Sequence, residues 1–234
     1  MKKRFYTELS YLFGIIALAL GTALSEKANF GLSMVVAPAY LVHLKVSQVL
    51  PFFTFGMAEY SLQAVVLIML AIIMRKFKLS YLFSFITAVF YGLVLDLFIM
   101  LLAMLPGDMV LLQCIYYVIG IFTCSLGVSL LFHTYISPEA YELFVKEISE
   151  KLGKDINKVK TVYDVVSCLI AIILSFIFFG FGHFEGVKLG TILCAIVNGS
   201  IIGMISRSFE KKYEFVDGLS LRGYFSAEKA TIDG

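Results

Sequence analysis

Long apolar stretches limit what this chain can fold into. Between Lys78 and Asp108 only Asp96, within the run FYGLVLDLFI (Phe90–Ile99), is charged. A helix crossing a bilayer needs about 20 mostly apolar residues. Six stretches meet that requirement, at roughly 9–25, 54–74, 79–103, 111–132, 163–183 and 187–206. Hydrocarbon cannot hydrogen-bond to peptide groups, so such stretches are expected as helices. Composition agrees: 60% of residues are hydrophobic, 15% are charged, and mean hydropathy is +0.91. A soluble domain is nearer half apolar and about a quarter charged. The expected class is therefore an all-α polytopic membrane protein.

The start of the chain also has the parts of a signal peptide, a basic MKKR and the small residues of ALALGTALS. Recurrence of this first span later in the chain argues that it is a helix of the fold. Lysine and arginine set the expected orientation. They collect before span 1 (Lys2, Lys3, Arg4), after span 2 (Arg75, Lys76, Lys78), between spans 4 and 5 (Lys146, Lys151, Lys154, Lys158, Lys160) and after span 6 (Arg207, Lys211, Lys212). The remaining loops carry only Lys27, Lys45 and Lys188. Both termini are therefore expected in the cytoplasm.

The chain repeats itself. GIIALALGTALS (Gly14–Ser25) resembles GIFTCSLGVSLL (Gly120–Leu131), and SFITAVFYGLVLD (Ser84–Asp96) resembles TILCAIVNGSIIG (Thr191–Gly203). Gly92 falls on Gly199 and Asp96 on Gly203. Two copies of a three-span unit must enter the membrane from opposite sides, so an inverted repeat is expected. Secondary transporters often have this plan, with the site at the repeat interface; a channel or scaffold could use it for structure alone. The expected divisions are 1–108, 109–206 and a cytoplasmic tail at 207–234.

Each half also carries a segment unsuited to spanning, Gly31–Leu44 and Ile136–Leu152. In the second, Tyr141, Phe144, Ile148 and Leu152 form an apolar stripe at helical period among Glu142, Lys146, Glu147 and Glu150. Ser137 can cap this helix and Pro138 suits its first turn. An amphipathic helix at the cytoplasmic interface is expected, with re-entry into the membrane left open. A lid over a central cavity would make Ser33, Ser137 and Pro138 gate residues; a surface strut is the plainer alternative.

An ionised carboxylate in hydrocarbon costs at least about 3 kcal/mol on insertion scales. Asp96 must therefore face the bundle interior or water, hold a proton, or have a partner. It is either a binding or gating residue or a structural hydrogen-bonding group. Further candidates are Glu59 and Gln63, four apart on one helix face, with Asp164 and Asn198. Glu59 and Asp164 also suit headgroup positions at helix ends. With no Lys or Arg deep in any expected span, neutral or cationic solutes are favoured over anions. Ala17, Gly21 and Ser25, the Gly120–Cys124–Val128 row beside Gly127, and Gly199 with Gly203 mark expected helix contacts inside the bundle.

Several chemistries find no support. Walker A, HExxH and GxSxG motifs are absent. Cys114, Cys124, Cys168 and Cys194 form no CxxC pair and read as packing residues. His43, His133 and His183 read as interfacial, and GFGHFEG (Gly180–Gly186) as a tight turn. No enzyme activity, cofactor, metal or nucleic-acid partner is expected. The expected partners are the bilayer and a small solute or ion, with a homo-oligomer or partner subunit left open.

The LGTAL helix, the loop SPEAYELFVKEISEKLGKDINKVK and the last span GVKLGTILCAIVNGSIIG together resemble the bacterial YitT/YczE-type integral membrane family. The likeness covers nearly all the chain except the tail. It implies a multi-pass protein of the bacterial plasma (inner) membrane and says little about activity. The first-half loop departs from that pattern, reading SMVVAPAY in place of Ser-Pro-acid. The leading functional expectation is a small-solute transporter, coupled to a proton or cation through Asp96. The alternative is a non-transporting membrane partner: an assembly factor, regulator or substrate-binding subunit.

Overall fold

A computed structural model describes residues 2–107, 109–154, 156–181 and 185–219. Helices α1 (Thr7–Ala28), α3 (Phe55–Met74), α4 (Leu79–Ala103), α5 (Val110–Leu131), α7 (Ile156–Phe179) and α8 (Leu189–Lys212) are the six long apolar helices. Each has 20–25 residues, enough for the ~30 Å hydrocarbon core at about 1.5 Å per residue. Two shorter helices, α2 (Ala37–Val46) and α6 (Ala140–Leu152), lie in the two segments read as unable to span.

The centre of the bundle is the antiparallel pair α1 and α5. A Cβ on Gly14 would lie 2.9 Å from Leu131 Cγ and 3.2 Å from the Gly127 carbonyl oxygen. One on Gly21 would lie 2.6 Å from Cys124 Sγ and 2.7 Å from the Gly120 carbonyl oxygen. At Gly21, where a Cβ would also overlap the Cys124 backbone N, glycine is required because the two backbones touch. The expected row of small residues is thus correct for α1 and α5. It is not correct for α8: a Cβ on Gly199 or Gly203 would meet no other atom within 4 Å. α8 meets α5 through Asn198 and Gly190 instead, and its GxxxG ridge points away from the bundle.

Strands β1 (Lys3–Tyr6) and β2 (Tyr213–Val216) pair in parallel, with Lys3 opposite Tyr213. Neither strand is expected from the sequence, which places the end of the last span near residue 206 and a cytoplasmic tail after it. α8 in fact continues to Lys212, and residues 213–219 fold back on the start of α1. There Glu8 accepts from Tyr135 Oη (2.8 Å) and from the Gly218 and Leu219 N–H groups (3.0 and 2.9 Å). His133 stacks on Phe215 at 4.3 Å between ring centroids. Residues 220–234 of that tail, His183 and the middle of the Gly180–Gly186 turn lie outside the described residues.

This ribbon defines one end of the bundle. α1, α4 and α7 start there; α3, α5 and α8 start at the far end. α6 neither spans nor lies on the surface. Its first residue is held at Gln63, and near its end Lys151 Nζ donates to the Ile73 carbonyl at 2.6 Å. It thus starts about 15 Å above the ribbon end of α3, at ~1.5 Å per residue, and descends beside that helix. α2 does the reverse. Ala37 and Leu41 pack with Ala171, and Lys45 Nζ donates to the Phe178 carbonyl at 3.3 Å, so α2 runs toward the far end. The expected surface helix is therefore found packed within the bundle, because its apolar stripe packs on α3, α4 and α7 (Leu67, Leu70, Tyr81, Tyr163).

Gly21→Leu is expected to destabilise the fold by about 1–3 kcal/mol through overpacking. Gly199→Ala, with open space around it, should be neutral or stabilising by up to ~1 kcal/mol of helix propensity. Thermal melts in detergent, read by size-exclusion profile, compare the two.

Candidate functional site

The start of α6 lies inside protein at mid-height, where its first N–H groups have no water to turn to. Gln63, from the middle of α3, meets this need: its Oε1 accepts from the Ala140 N–H at 3.1 Å. The same amide donates through Nε2 to Glu59 Oε2 (3.5 Å) and to Glu139 Oε2 (3.4 Å). Tyr141 Oη donates to Glu59 Oε2 at 3.0 Å. One amide therefore joins two carboxylates and a helix start.

The loop before α6 is fixed by α4. Ser84 Oγ donates to the Pro138 carbonyl, and Thr87 Oγ1 donates to the Ser137 carbonyl at 3.2 Å. Tyr11 Oη then donates to Thr87 Oγ1 at 2.8 Å. Neither Ser137 nor Pro138 caps or opens α6 as expected; Glu139 occupies the N-cap, and the two residues before it supply carbonyls.

Glu59 and Gln63 are fully buried, Glu139 and Tyr141 nearly so. One oxygen on each carboxylate, Glu59 Oε1 and Glu139 Oε1, has no hydrogen-bond partner among the described residues. Among those residues no Lys or Arg pairs with either. Two bare charges here would carry a prohibitive desolvation cost as well as mutual repulsion. One Gln63 amide thus stands between two buried carboxylates that no described cation neutralises. No group of three or more His, Cys, Asp or Glu suited to a metal occurs among the described residues.

The other expected site residues lie elsewhere. Asp96 accepts from Thr54 Oγ1 (2.6 Å) and from the Gly56 N–H (2.7 Å), at the far-end start of α3. Thr54 Oγ1 in turn accepts from the Met57 N–H at 3.1 Å. A carboxylate on a helix N-terminus is electrostatically favoured, and this placement explains its presence in an apolar run. Asp164 lies 3.7 Å from Lys160, which also pairs with Glu142 at 3.2 Å. Lys160 belongs to α7, which starts earlier than expected. Asn198 accepts from Ser125 Oγ at 2.6 Å, joining α8 to α5. Ser33 turns the chain into α2, its carbonyl accepting from Val36 and Ala37 N–H at 3.1 and 3.0 Å.

Sequence reasoning missed Glu139, Tyr141, Ser84 and Thr87 as parts of one cluster. Glu139 stands in the SPEAY motif, beside the proline, and that local oddity was the available signal.

Six long apolar helices around a buried polar cluster define a multi-pass membrane protein. The chain belongs to the family of unknown function DUF6198, which it matches over residues 5–207. No curated protein and no solved structure matches it.

Gln63→Leu would strip the Ala140 N–H and both carboxylates of a partner, at about 1–3 kcal/mol per group left unsatisfied. A marked loss of thermal stability is expected, larger than that of Asp96→Asn, which keeps the side-chain shape at the start of α3. Detergent melts of the two variants give the comparison.

Proposed function

We propose that this protein is a small-solute permease of the bacterial plasma membrane, not an enzyme, with both termini cytoplasmic and with Glu59 and Glu139 exchanging the coupling proton. The observation that carries this reading is the meeting of two half-helices. α2 and α6 begin at mid-height, run to opposite ends, and approach through their starts. Val35, just before α2, packs on the cluster that includes Ala140 and Tyr141. Half-helix starts facing each other near the midplane are a recurrent transporter device.

An inverted-repeat reading of the helix contacts supports it. The sequence repeat maps Gly14 on Gly120 and Gly21 on Gly127, so a Gly14–Gly127 contact becomes Gly120–Gly21; both contacts occur. α2 on α7 and α6 on α3 are equivalent pairs under the same exchange. On this reading residues 1–108 and 109–206 are the two repeats. The symmetry is incomplete in a suggestive way. α3 and α4 pack closely at Gly56 and Gly92, whereas α7 and α8 make no extended contact among the described residues. One half closed and the other parted is what one state of an alternating-access cycle requires. The buried carboxylates then form its occluded centre, suited to neutral or cationic solutes. The likeness to the YitT/YczE-type family fits this placement and adds no substrate.

The open ridge of α8 favours a second reading, a membrane partner that docks another subunit through Gly199 and Gly203.

Proteoliposomes holding a pH-sensitive dye test the first reading against amines, amino acids and nucleosides. Solute-driven proton flux is expected, and Glu59→Gln or Glu139→Gln should cut it by at least tenfold, equivalent to about 1.4 kcal/mol. Full flux in both variants would refute the proton role.

A further inference from the structure

α3 and α4 touch at their Gly56–Gly92 crossing and are joined by a short turn at the ribbon end. Between crossing and turn lies a cleft of about 630 Å³, within the ~300–1,000 Å³ range of ligand pockets. Ala64, Leu67, Ile68 and Ala71 line one wall; Leu82 and Phe85 line the other. The rims are exposed on both sides, Ile72 of α3 by 69% and Leu82 of α4 by 47%, so the cleft opens sideways, toward lipid in a membrane.

Arg75 and Lys76 stand at its mouth, where α3 ends. Both are exposed. Neither has an ion-pair partner among the described residues, whereas the next cation, Lys78, is bound to Glu147 at 2.7 Å. Arg75 itself caps α3 in the left-handed conformation (φ 53°), which fixes the base of its side chain at the cleft mouth.

We infer that this cleft is a binding site for one anionic phospholipid. An acyl chain lies between α3 and α4, and the headgroup phosphate meets the Arg75 guanidinium and the Lys76 ammonium. Charge complementarity selects this occupant. A chain without a negative head would leave two cations unused at the mouth, and a free phosphate would leave the apolar walls empty. Guanidinium matches phosphate through paired N–H donors, and lysine adds a point charge. The inference does not depend on transport.

Native mass spectrometry of the full chain in detergent tests it, with chain-matched phosphatidylglycerol and phosphatidylcholine as probes. Wild type should retain phosphatidylglycerol with a preference on the order of tenfold, as expected for two juxtamembrane cations. The double variant Arg75→Asn, Lys76→Gln should lose that preference; asparagine tolerates the left-handed position. Ala71→Phe fills the cleft with the cations intact and should release the retained lipid. Arg207→Gln with Lys211→Gln, on α8, should change nothing, and inorganic phosphate should not displace the lipid. Equal retention of the two lipids by wild type would overturn the inference. So would a preserved preference in the Arg75/Lys76 variant, an equal loss in the α8 variant, or displacement by phosphate. Both surface variants replace exposed side chains, so their result stands even if Ala71→Phe fails to fold.

Discussion

A helix that starts halfway up a bundle of long apolar helices must find partners for its first N–H groups, and here Gln63 is that partner. Its carbonyl oxygen takes the Ala140 N–H while its amide holds Glu59 and Glu139. The start of α6, the carboxylate pair and the middle of α3 are thus one hydrogen-bonded unit. The hydroxyls of Ser84 and Thr87 extend it to α4 by taking the carbonyls of the returning loop. Irregular backbone at membrane depth survives only where protein satisfies it, so α6 could not sit here without these side chains.

The half-helices also need a frame that holds its shape while they pack at different heights. The α1–α5 seam provides one. Backbone contact at Gly21 and Gly127 leaves no room for a methyl group, and Gly14 and Gly120 are packed nearly as closely. In a bilayer, where apolar burial gives helices little reason to associate, such close packing is what holds them together. The Glu8 cluster and the β1–β2 ribbon then tie both described chain ends to the base of α1. By contrast, α7 and α8 are largely exposed along their length and are held mainly through α2, α6 and α5.

Legibility followed the range of the interactions. The six long helices were readable because crossing hydrocarbon imposes a length and a composition on each stretch separately. Glu59 and Gln63 were readable as a pair because spacing four fixes a common helix face. Asp96 was conspicuous, but its partners Thr54 and Gly56 lie on another helix, and nothing local to Asp96 names them. The α6 segment misled for a physical reason: one apolar stripe with one charged face suits a membrane surface and a protein groove equally well. What decides between them is Gln63, some 77 residues away. The four-residue strands, paired across nearly the whole chain, left no periodic signal either.

The proposed proton site pairs Glu59 with Glu139 through the Gln63 amide that both carboxylates accept from. Infrared titration of the purified protein tests it most directly. On that proposal a protonated-carboxyl band should be present at neutral pH and should weaken in both Glu59→Gln and Glu139→Gln. Absence of that band in wild type at neutral pH, or a band unchanged in both variants, would contradict the account.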